Sequence, residues 1–74
     1  MYISEELTLT TIVRNLNALN LYHYEWRESH DRIIIRVRIS RDGKVVQLVY
    51  CDTFTEALDF LCYEYHSFYD LTHH

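Results

Sequence analysis

Cys62 and His66 stand four residues apart, one helical turn, and His73 and His74 follow close behind. That donor set is one a zinc ion can use, yet zinc sites are usually built from short paired spacings such as C-x-x-C, and the chain has none. Cys62 also falls on the apolar stripe of its segment, where a small thiol is ordinary core. Neither a metal nor any other cofactor is therefore expected. Catalysis has no better footing. No glycine-rich phosphate loop, nucleophile elbow or other recognisable nucleophile–histidine motif is present, and a domain this small leaves little room for an enclosed pocket. The expectation is a protein that is not an enzyme.

The more informative chemistry is acidic. Glu56, Asp59, Tyr63, His66 and Asp70 recur at helical spacing along one stripe, with Phe60 and Glu64 beside it. A merely solvated face mixes Lys with Glu and avoids exposed rings, whereas here acids alternate with aromatics and no cation intervenes. Carboxylates in such a row can imitate phosphates while the rings anchor a contact. The alternative reading packs Phe60 and Tyr63 beneath the tail Tyr69-Asp70-Leu71.

Charge layout agrees with a binding role. The formal net charge is −4. Residues 27–44 carry Arg27, Arg32, Arg36, Arg38, Arg41 and Lys44 against Glu28, Asp31 and Asp42. Residues 45–74 carry Asp52, Glu56, Asp59, Glu64 and Asp70 with no Lys or Arg. Such a chain repels nucleic acid and attracts proteins that bind nucleic acid. His23, Glu25, Arg27, Arg36, Arg38 and Gln47 share the strand parity opposite to the core, where Glu25 can pair with the arginines across strands.

The elements that must position these residues follow from periodicity. Length (74 residues) and a 49% hydrophobic content imply one domain spanning 1–74 with one core. Leu9, Ile12, Val13, Leu16 and Leu19 predict an amphipathic helix over 5–19, capped by Ser4 and stopped by Asn17 and Asn20. Three alternating strands follow, in which Tyr22, Tyr24 and Trp26, then Ile33, Ile35, Val37 and Ile39, then Val46, Leu48 and Tyr50 face the core. Asp42-Gly43 predicts a two-residue turn, which sets Ile39 opposite Val46, Val37 opposite Leu48, Ile35 opposite Tyr50 and Arg38 opposite Gln47. A second helix over 54–68 opens with the capping box Thr53-Phe54-Thr55-Glu56 and buries Phe54, Ala57, Leu58, Leu61, Cys62, Tyr65 and Phe68. The expected fold is α+β in the order α-β-β-β-α, a two-layer sandwich with a three-stranded antiparallel sheet and two helices on one face. That order also suits a double-stranded-RNA-binding domain, but those use a basic second helix and this one is acidic. Cys51 and Cys62 lie too far apart on a helical path to bridge, and reduced thiols fit a cytoplasmic protein. Apolar runs are too short to cross a bilayer, and no basic segment with an apolar stretch opens the chain.

The segment Ile34-Ile35-Arg36-Val37 leading into Asp42-Gly43, then Phe60 to Asp70 with Phe68-Tyr69-Asp70 near its end, resembles the small acidic phage anti-CRISPR inhibitors of type II RNA-guided nucleases. The resemblance implies a phage protein acting in the host cytoplasm. It would occupy the PAM-reading cleft of a CRISPR effector nuclease as a DNA mimic, with Asp42, Gly43, Glu64 and Asp70 in the contact. Arg41 and Lys44 flank the turn with positive charge, and the acidic run before the final aromatic pair is reduced to Glu64 with His66 and Ser67; both depart from that family's pattern. The expectations taken forward are an inhibitor or adaptor contacting a larger nucleic-acid-binding protein through Asp42, Gly43, Glu56, Asp59, Phe60, Tyr63, Glu64 and Asp70, or else a homodimeric regulatory or structural protein.

Overall fold

A computed structural model describes residues 5–72, with side-chain surroundings for 5–69. Ser4, His73 and His74 lie outside the described residues. The order is α1 (Glu5–Asn17), β1 (Tyr22–Ser29), β2 (Arg32–Ile39), β3 (Val45–Cys51) and α2 (Phe54–Thr72). The sheet is an antiparallel meander, β1-β2-β3, and the 34 × 30 × 15 Å extents are those of two layers.

Glu5 and Glu6 sit in the first turn of α1, at the positive end of the helix dipole. Thr11 is accommodated by donating its hydroxyl to the Leu7 carbonyl at 2.9 Å. The helix stops at Asn17, two residues short of the expected end, because Leu19 and Asn20 tighten onto Leu16 and Asn17 and Asn20 turns left-handed at φ 60°. In α2, Thr53 Oγ1 accepts from the Glu56 amide at 3.1 Å. The Glu56 carboxylate reaches back to the Asp52 N–H at 3.0 Å, a capping box displaced by one residue.

Leu9 and Leu16 from α1, Tyr24, Ile33, Ile35, Val37 and Cys51 from the sheet, and Ala57 and Leu61 from α2 form one buried cluster. Each large side chain buried there stabilises the fold by about 1.5–3 kcal/mol. Tyr22 packs on Phe68 at 5.4 Å and Trp26 meets Phe54 edge-on at 6.0 Å, so aromatic pairs tie β1 to both halves of α2.

The two hairpins turn differently, and only the second departs from the turn expected of it. The first reverses in two residues, His30 and Asp31, both at positive φ (50° and 64°). His and Asp tolerate that region better than most side chains, and the paired positive angles match the strand twist. The second is a four-residue loop, not a two-residue Asp42-Gly43 turn. Ile39 N–H donates to the Lys44 carbonyl at 2.9 Å, Gly43 N–H donates to the Ile39 carbonyl at 2.7 Å, and Gly43 takes φ 74°.

This longer loop sets Ile39 opposite Lys44, two residues from the expected pairing. The bulge in β3 takes one residue back, so the strands beyond it lie one residue from the expected register. Ile35 faces Val49, Val37 faces Gln47, Ile34 faces Tyr50 and Arg36 faces Leu48, with a bulge between Val37 and Arg38. Because strand parity is two, the shift moves Val46, Leu48 and Tyr50 from the core face to the open face and sends Gln47 to the helix side. Val49 and Cys51 replace them inside. Cys62, expected in the core, is exposed on α2.

Candidate functional site

Two surfaces compete for a functional role, and the strand register decides what the second of them contains. The outward stripe of α2 holds Glu56, Asp59, Tyr63 and His66, all exposed, and Tyr63 at 72% is the most exposed large hydrophobic side chain among the described residues. These residues lie opposite Ala57 and Leu61, the buried pair that seats the helix. The side chain of Asp70 is outside the described residues.

Other expected contact residues have structural work. Glu56 caps its own helix. Asp42 accepts the Lys44 N–H at 2.9 Å within the hairpin loop, and Gly43 supplies that loop's left-handed residue. Phe60 is half-buried. Glu64 does not share the outward stripe: three residues beyond Leu61 and seven beyond Ala57, it shares their inward side and is half-buried. Burial raises its carboxyl above the usual 4.5. Burial first, and then Glu64's charge, hold the Tyr24 phenol well above its ordinary value. The structure thus keeps Asp59 and Tyr63 together on the outward face and turns Glu64 away from them.

The open face of the sheet is the second surface. Glu25 is its electrostatic centre: Arg36 Nη2 lies 2.6 Å from Oε2, while Arg38 Nε and His23 Nε2 each lie 3.6 Å from Oε1. The hydrogen bond from Arg36, reinforced by charge from Arg36, Arg38 and His23, holds the Glu25 carboxyl below its usual range. Cross-strand pairing of Glu25 with Arg36 is as the alternation predicted. Beside this network, Val45, Val46, Leu48 and Tyr50 are exposed on β3, four of the eight large apolar side chains exposed among the described residues. Sequence reasoning missed this patch because it assigned three of the four to the core.

On the helix side, Cys62 and His66 border an open groove with Leu7, Thr11 and Ile12 of α1. Among the described residues no three His, Cys, Asp or Glu side chains converge as metal ligands would. No helix among them is long and apolar enough to cross a membrane. No protein-family model, curated protein or solved structure matches the chain.

Proposed function

We propose that this chain is a non-catalytic inhibitor or adaptor that docks the outward stripe of α2 into a basic cleft of a larger nucleic-acid-binding protein. One observation carries the reading: Tyr63, 72% exposed, stands on the same outward face as Asp59 and Glu56, in a segment with no Lys or Arg after Lys44. A positive cleft attracts such a helix from a distance, and a rigid ring that seats in it supplies the short-range anchor. The resemblance to anti-CRISPR inhibitors makes a CRISPR effector nuclease the first candidate, since arginines that read guanine line its PAM cleft. The contact in that case centres on Asp59 and Tyr63, with the hairpin loop at Asp42-Gly43 as a second point.

The test is a binding titration of the purified chain against type II effector nucleases at low and high salt, with DNA cleavage as the functional readout. A one-to-one complex that weakens with salt and blocks cleavage is expected. The double variant Asp59→Lys, Tyr63→Ala removes a charge contact and an anchor, and should cost at least ~2 kcal/mol, about 30-fold in affinity. Unchanged affinity in that variant overturns the assignment to α2.

A further inference from the structure

We propose that two copies of this chain pair antiparallel along the outer edge of β3, extending the sheet from three strands to six. The sheet has two edges, and they are treated differently. At β1 the Asn17 side chain acts as a clasp, accepting the Tyr24 N–H at 2.7 Å and donating to the Tyr24 carbonyl at 3.2 Å. At β3 the strand Val45–Cys51 contains no charged residue and no proline, and among the described residues its outward backbone groups face no neighbouring strand. Edge strands of soluble proteins are normally blunted by charge, proline or cover. β3 has one such device, the bulge near Val46, which leaves Gln47–Cys51 regular.

Self-pairing fits the strand's own sequence. A two-fold axis through Leu48, perpendicular to the sheet, sets Leu48 against Leu48 and Val46 against Tyr50 on the open face, with Gln47 against Val49 on the helix side. The helices of both copies then stay on one side, and the exposed apolar residues of β3 form one continuous row. Charge selects the direction. Lys44 precedes the strand and Asp52 follows it, so antiparallel pairing brings a cation beside an anion at both ends. Parallel pairing would set Lys44 beside Lys44. One short strand edge is a small contact, so association on the order of 10–100 μM is expected.

Sedimentation velocity from about 5 to 500 μM tests the proposal, with Leu48→Lys and Tyr63→Lys as variants. The parent should shift from monomer to dimer across this range. Leu48→Lys places two ammonium groups at the centre of the contact, at a half-exposed position where folding tolerates it, and should stay monomeric. Tyr63→Lys lies on the surface assigned to the other partner and should dimerise as the parent does. A parent that is monomeric throughout, or a Leu48→Lys variant that dimerises unchanged, refutes the pairing; loss of dimer in Tyr63→Lys moves the self-contact to α2. Should Leu48→Lys not fold, amide exchange of the parent decides: β3 protection that rises with concentration supports the edge, and protection independent of concentration refutes it.

Discussion

Asn17→Ala is the most direct probe of how this sheet is finished. The side-chain amide of Asn17 closes a two-point bridge onto Tyr24, with its oxygen 2.7 Å from the Tyr24 nitrogen and its nitrogen 3.2 Å from the Tyr24 oxygen. Truncation removes both bonds and leaves two main-chain groups unpaired at a part-buried position, beside a tyrosine that is 2% exposed. A net hydrogen bond contributes about 0.5–1.5 kcal/mol, and the shorter of the two belongs at the upper end. Water can reach part of the site, so the combined loss is about 1–2 kcal/mol. With a urea m-value of roughly 1 kcal/mol/M for a chain this small, the midpoint should fall by about 1–2 M. Asn17→Asp keeps the acceptor and loses the donor, and should fall between parent and alanine. Urea unfolding followed by far-UV circular dichroism reads all three. If Asn17→Ala unfolds within about 0.3 M of the parent, the amide is not a clasp and β1 is protected by α1 packing alone.

One further substitution and one labelling reaction follow from the packing. Glu64 has its carboxyl pushed up by burial, so its contribution to stability is fully present below the unfolded-state value near 4.5 and is lost as pH rises through the higher folded-state value. Glu64→Gln should therefore raise the thermal midpoint at pH 7 and leave it unchanged near pH 4; destabilisation at pH 7 would place Glu64 in a productive ion pair instead. Cys62 is exposed and Cys51 buried, with burial holding the Cys51 thiol up. A thiol reagent at pH 8 should label one site in the native protein and two after denaturation, and mass mapping of the native label to Cys51 would contradict the packing.

Element types and order were legible in the sequence because each has its own physical signature. Leu9 to Leu16 repeat with helical spacing, Ile33 to Ile39 alternate with arginines, and Thr53 to Glu56 make a helix start that the structure uses. The register of β3 was not legible, for an equally physical reason. Val45-Val46-Gln47-Leu48-Val49-Tyr50 is apolar at nearly every position, so either parity offers the core an apolar row. The bulge near Val46 chooses between them. Exchanging the two-residue turn at Asp42-Gly43 for a four-residue loop moves the pairing by two residues and keeps its parity, and no residue pattern announces the bulge. The Asn17 clasp has no pattern at all, since it depends on the last turn of α1 landing beside Tyr24. Glu64 is a different case: its spacing from Ala57 and Leu61 already pointed inward, and its charge argued outward.

The packing of α1 bears on how the chain is made. Each strand of the meander pairs with its neighbour in sequence, so the sheet can zip up as soon as each hairpin leaves the ribosome. The first helix instead packs against α2, which is synthesised after the whole sheet, as well as against β1. Leu9 and Leu16 must wait for Ala57 and Leu61 before their burial is complete. A nascent chain stalled anywhere before residue 61 carries an amphipathic helix with half its seat missing, and such intermediates are natural clients of chaperones. The same closure of α1 on α2 couples the two helices, so that loosening α2 around Ala57 and Leu61 uncovers Leu9 and Leu16.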